Sequence, residues 1–97
     1  MKTKAAVMWK ETGPFEISDL TLDPPGPEEV LVRFDYAGLC HTDEHMRNGD
    51  IGFNPPMVGG HEGSGVVEEV GPGVTHIQPG DHFVTSWMPY CGRCRFC

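Results

Sequence analysis

Gly60-His61-Glu62-Gly63-Ser64-Gly65-Val66-Val67-Glu68-Glu69-Val70-Gly71 is the stretch on which the reading of this chain turns. It opens on glycines, passes a histidine beside a carboxylate, and runs into a valine-rich segment closed by another glycine. Valine is stiff at χ1 and packs well on a pleated surface, so residues 63–71 read as a strand entered through a glycine-rich loop. Gly63-x-Gly65 is not a dinucleotide fingerprint, because such a turn leaves a strand and opens a helix, whereas this one opens a strand.

Working downstream, Gly73 and Pro79-Gly80-Asp81 supply turns before a further strand over His82–Trp87. Upstream, Pro55-Pro56 forces a loop over Gly52–Gly60 that delivers the chain to His61. Cys40–Asn48 lacks alternation and tolerates helix, with Gly49 placed as its stop, so one short helix is predicted there. Val30–Ala37 begins as an apolar run and ends in alternation, the mark of a half-buried strand. Three prolines within Asp23–Pro27 exclude regular structure. Phe15–Leu22 and Lys4–Trp9 read as two more strands joined through the turn Thr12-Gly13-Pro14. The expected fold is mainly β, with one short helix and many loops.

Ninety-seven residues make at most one domain, and 13 Gly with 9 Pro at 38% hydrophobic residues suit an ordered, turn-rich chain. The balance of 7 basic against 14 acidic residues, a net charge of −7, argues against nucleic-acid partners. No run approaches the length of a membrane span. The first apolar run, Ala5–Trp9, is cut off by Lys10 and Glu11 before it reaches the length of a secretory signal, so a cytoplasmic location is expected.

Cys91, Cys94 and Cys97 fall in the last seven positions, a spacing that suits a metal more than a disulfide framework. Thiolates favour zinc or an iron–sulfur cluster. A tetrahedral structural zinc takes four ligands, so the chain is expected to be an N-terminal fragment, with a fourth cysteine within about ten residues of Cys97. A second set joins Cys40-His41-Thr42-Asp43-Glu44-His45 to His61-Glu62, each block placing a soft or borderline ligand beside a carboxylate. Taken singly, Cys40 also suits a small buried hydrophobe and His61 an ordinary hydrogen-bonded side chain.

Gly60-His61-Glu62-x-x-Gly65-x(5)-Gly71 followed by Gly80-Asp81, with the Cys40 block and the lobe from Pro89 to Cys97, resembles the zinc-containing alcohol dehydrogenases of the medium-chain dehydrogenase/reductase family. The blocks occur in the family's order across essentially the whole chain. The resemblance implies a truncated GroES-like catalytic domain over residues 1–97, with the Rossmann domain absent from the fragment. It implies two zinc ions per full-length subunit, one catalytic and one structural. The catalytic zinc would sit on Cys40, His61 and a cysteine beyond residue 97, with Glu62 as a close neighbour and occasional ligand. The structural one would sit on Cys91, Cys94 and Cys97.

By the same resemblance, an alcohol is oxidised to an aldehyde or ketone by hydride transfer to NAD or NADP. Asp43 orients the zinc-bound imidazole. Thr42 takes the alcohol proton and passes it through the cofactor ribose to His45 at the surface. Thr42 also suits a helix N-cap, and His45 a solvated helix residue. His41 stands where several family members carry Arg against the cofactor pyrophosphate, which implies a looser hold on that anion. His76 and His82 match no functional position, while Trp87 and Met88 suit either the substrate cleft or core packing.

The Cys40–Asp43 block further resembles the branch of glutathione- or mycothiol-dependent formaldehyde dehydrogenases and nicotinoprotein alcohol dehydrogenases. The expected partners are a small alcohol or aldehyde and, at full length, further copies of the same subunit. Residues 1–97 alone are expected to be inactive. Two other classes are kept: a metal-binding or electron-transfer module built on the Cys91/Cys94/Cys97 loop, and a non-catalytic GroES-like module, which would have no use for Cys40, Thr42, His45, His61 and Glu62 together.

Overall fold

The computed structural model describes residues 1–97 and arranges them as two three-stranded sheets and one helix. The strands are β1 (Lys2–Met8), β2 (Glu16–Thr21), β3 (Val30–Ala37), β4 (Met57–Val58), β5 (Gly63–Val70) and β6 (His82–Val84), with α1 (His41–Asn48) between β3 and β4. About a third of the residues are in strands, and the mainly β expectation holds. No helix is long and apolar enough to cross a membrane.

The first sheet has the order β2-β1-β4. β1 and β2 pair antiparallel from Lys2 opposite Thr21 to Val7 opposite Glu16. The exposed Lys4–Asp19 pair at 2.7 Å decorates this ladder and adds little to it. β4 is a departure from the loop expected over Gly52–Gly60. Val7 pairs with Val58 and Met8 with Met57, so two residues become strand because β1 offers them a partner, not because of their own pattern.

The second sheet has the order β3-β5-β6, all antiparallel. Bulge-like register shifts fall between Leu31 and Val32 and between Phe34 and Tyr36, which bends β3 against β5. β6 ends at Val84 instead of reaching Trp87. Beyond it Thr85 turns its hydroxyl onto the His61–Gly63 backbone, where a continuing strand would have kept an alternating ladder.

Val7, Met8 and Val67 form the apolar core, and Met8 is completely enclosed. The alternation in β3 predicted a half-buried strand, but only its first half is covered. Phe34 and Tyr36 are 56% and 79% exposed. Phe34 meets Phe83 of β6 edge-on at 5.2 Å, and no layer of residues 1–97 closes over the rest of that face.

Candidate metal centre

Cys40 and His61 are brought together by the pairing of β3 with β5. After Ala37 the Gly38 N–H donates to the Glu62 carbonyl at 3.1 Å, which ties the end of β3 to the entrance of β5. The approach is close: a Cβ on Gly38 would meet the Glu62 carboxylate, which would have to swing aside. Two residues later Cys40, in an extended conformation, starts α1.

Cys40, not Thr42, is the N-cap of this helix, which corrects the capping alternative for Thr42. The reason lies in Asp43, the third helical residue. Its Oδ2 accepts from the Cys40 N–H at 3.4 Å, the reciprocal half of a capping box, and leaves Thr42 free inside the first turn. The other carboxylate oxygen, Oδ1, lies 3.4 Å from His61 Nδ1. Asp43 is the one buried charged side chain, 9% exposed, and both of its oxygens face named partners.

His61 is held from its backbone as well. Thr85 donates its hydroxyl to the His61 carbonyl at 2.6 Å and accepts from the Gly63 N–H at 2.9 Å. The Trp87 ring meets the imidazole at 4.5 Å with the planes 68° apart. On the open side a cavity of about 330 Å³ is lined by His61, Glu62, Gly63, Val84, Thr85 and Trp87. Met88 does not line it and is 73% exposed, so of the two cleft candidates only Trp87 faces the cavity.

One donor atom from each of Cys40, His61 and Glu62 lies within 4.8 Å of the others. Thr42 Oγ1 is 3.5 Å from Cys40 Sγ. The hydroxyl and backbone N–H of Thr42, together with His61, hold the Cys40 thiol below its ordinary pKa. Cys40 in turn raises the His61 imidazole against the opposing effect of burial, with Asp43 adding to the rise. A thiol biased towards thiolate beside an imidazole is the donor chemistry that suits zinc.

On the outer surface of α1 the His41 and His45 rings meet edge-on at 4.6 Å, and His45 Nδ1 lies 2.9 Å from Asp50 Oδ2. His41 and His45 are therefore neighbours on α1. His76 and His82 are exposed and lie outside both donor sets.

Cys91, Cys94 and Cys97 form a second donor set. Their sulfurs are 3.7 Å apart for Cys91 and Cys97 and 3.3 Å for Cys94 and Cys97, and the Cys94 N–H donates to Cys91 Sγ at 3.4 Å. All three are exposed free thiols. The backbone N–H groups of Arg93 and Cys94 lower the Cys91 thiol to about 7, and the Cys94 thiol is the main cause that lowers Cys97. Arg93 within this loop forms an exposed ion pair with Glu28 in the turn before β3. Thr85, Asp50 and Glu28 were not legible as site residues, because a hydroxyl or carboxylate far along the chain carries no local signal of the backbone or ring it will meet.

The alcohol dehydrogenase GroES-like domain family matches residues 26–97, a span that contains both donor sets. The chain belongs to this family. It is 56% identical over 97 residues to an NDMA-dependent alcohol dehydrogenase from Amycolatopsis methanolica, covering all of this chain and 26% of that protein. Among solved structures, benzyl alcohol dehydrogenase from Acinetobacter calcoaceticus superposes with a TM-score of 0.91 at 42% identity, covering 100% of this chain and 26% of that one. A cobalt- and zinc-bound thermostable alcohol dehydrogenase from Pyrobaculum aerophilum superposes with a TM-score of 0.87 at 37% identity, covering 100% and 30%. The chain thus spans about a quarter of the length of the curated relatives it matches, and those relatives are alcohol dehydrogenases.

Proposed function

We propose that residues 1–97 are the N-terminal part of the GroES-like catalytic domain of a zinc-dependent alcohol dehydrogenase, which oxidises an alcohol to an aldehyde or ketone by hydride transfer to NAD or NADP. The observation that carries this reading is the convergence of Cys40, His61 and Glu62 beside a cavity, with the Asp43 carboxylate behind His61. The chemistry of both donor sets fits zinc. Cys40, His61 and Glu62 would hold one ion, and Cys91, Cys94 and Cys97 a second, structural one. Zinc at the first set supplies Lewis acidity towards an alcohol oxygen.

The chain's own residues supply the rest. Asp43 faces the His61 imidazole and biases its orientation by charge. Trp87 and Val84 supply apolar surface to the wall of the cavity beside His61. Thr42, beside Cys40, has a hydroxyl that both donates and accepts and so can take up a proton while giving another away. His45, partly exposed at the surface of α1, hands that proton to solvent. His41, exposed beside His45, faces the cofactor with a weaker grip than an arginine would have. Residues 1–97 by themselves lack the nicotinamide site and do not turn over. The working enzyme is a cytoplasmic homo-oligomer acting on a small alcohol or aldehyde.

The test is metal analysis and turnover of the full-length protein. Two zinc equivalents per subunit are expected, falling to about one in Cys40→Ala, with alcohol-dependent nicotinamide reduction lost in that variant. Equal zinc content in the two proteins would sink the assignment of Cys40. Iron with a visible absorption band would favour an electron-transfer module instead.

A further inference from the structure

We propose that Asp50 is the positioning residue for His45: it holds the ring by Nδ1, so that Nε2 is the nitrogen that exchanges a proton with the site. This rests on the proposed role of His45 as the outlet to solvent. α1 ends in a left-handed turn at Gly49, φ 89°, whose N–H donates to the Met46 carbonyl at 3.3 Å. The Ile51 N–H then returns to the His45 carbonyl at 3.1 Å, and the Asp50 N–H donates to Asn48 Oδ1 at 3.1 Å. These bonds fix the backbone on both sides of Asp50 and fold the chain back over His45. The carboxylate arrives 2.9 Å from His45 Nδ1 as a consequence of the cap, which distinguishes it from a pair of freely swinging surface charges.

The chemistry follows from donor counting. An ionised carboxylate only accepts, so its bond to Nδ1 requires Nδ1–H, and in a neutral imidazole that leaves the lone pair on Nε2. The bond to His45, followed by that from Asn48, holds the Asp50 carboxyl below its ordinary pKa and keeps it ionised. Two further titratable groups near this ring, His41 and Glu44, lie on α1 itself. His41 meets it edge-on, and Glu44 is already engaged by both Nε and Nη2 of Arg47 at 2.7 and 2.6 Å. Asp50 is therefore the acceptor available to Nδ1. In the step, Nε2 gains a proton to form the imidazolium while Nδ1–H stays on Asp50. Nε2 then releases that proton to water, and the neutral tautomer is restored.

The experiment uses the full-length enzyme with nicotinamide cofactor, comparing wild type, Asp50→Ala, Asp50→Glu, His45→Ala and the Asp50→Ala/His45→Ala double variant. The readouts are kcat, KM for a primary alcohol, and the ¹⁵N-histidine spectrum of His45. Wild-type His45 should carry its proton on Nδ1. Asp50→Ala should give a mixture of tautomers and lower kcat about tenfold with KM unchanged, part of the roughly 10²–10⁴-fold that a positioned acid or base contributes. Asp50→Glu should recover part of both signals. In the His45→Ala background, removing Asp50 should cost nothing further, since two groups acting as one unit are not additive. If His45→Ala is slow while Asp50→Ala leaves kcat and tautomer unchanged, the positioning role is wrong and the outlet role stands. An equal loss from Asp50→Ala with and without His45 would also overturn the positioning role, by showing that Asp50 serves the fold. If His45→Ala is itself as fast as wild type, the outlet role falls and this inference falls with it.

Discussion

Replacing Asp43 by asparagine separates two tasks that one carboxylate performs. Oδ2 accepts from the Cys40 N–H and closes the first turn of α1, while Oδ1 faces His61 Nδ1, each at 3.4 Å. Asparagine keeps an oxygen that can serve the helix but presents no charge to the imidazole. Outer partners of a metal-bound histidine typically contribute about 10–100-fold in metal affinity. The Asp43–His61 distance is longer than the usual range of about 2.7–3.2 Å, so the lower end applies, about tenfold. Alanine removes both acceptors and adds the loss of a capping bond, about 1 kcal/mol of stability. The assay is zinc competition against a chromophoric chelator on the full-length protein, paired with denaturant unfolding of the two variants. Zinc binding proposed for the Cys91–Cys97 loop would serve as the internal control and should be unaffected. Wild-type zinc affinity in Asp43→Asn, or an equal loss at both sites, would refute the division of labour.

Two further outcomes follow from the same geometry. Met8 is completely enclosed between the strands of the first sheet and the rest of the core, so Met8→Ala should destabilise the protein by about 2–5 kcal/mol in chemical denaturation, whereas truncating the exposed Tyr36 should cost far less. The Glu44 and Asp50 carboxyls are held below their ordinary values of 4.5 and 3.8, first of all by Arg47 and His45 respectively. A depressed carboxyl stabilises the fold above its unfolded pKa, and the contribution is lost as pH falls through the lower folded value. Helical ellipticity should therefore decline in acid below those ordinary values, and Arg47→Ala should remove the Glu44 portion of the decline. Because both pairs are exposed the effect is small and should shrink with added salt; an acid limb that Arg47→Ala leaves in place would count against the Glu44 contribution.

Much of this architecture is written in local preferences. The valine-rich run after Gly63 and the apolar start of Val30–Ala37 became β5 and β3, and the segment before Gly49 became α1, because side-chain branching and a left-handed stop act over a few residues. Donor type is equally local: three cysteines in seven residues are thiol donors whatever surrounds them. β4 was hidden because a two-residue strand has no period to read, and it exists only where Val7 and Met8 present an unpaired edge. The exposure of Phe34 and Tyr36 was hidden too, since alternation marks a face without saying whether anything covers it.

The sequence by itself determined which side chains could ligate a metal, that strands would dominate, and where the single helix would end. Only the tertiary structure decided that Cys40, at the end of one strand, meets His61, at the start of another. It also decided that Asp43 is shared between a helix cap and an imidazole, and that Thr85 and Asp50 become the partners of His61 and His45. The physical reason is that residue type and backbone preference act over neighbouring positions, whereas the register of β3 on β5 and the return of the chain after Gly49 set distances between groups that have no local knowledge of one another.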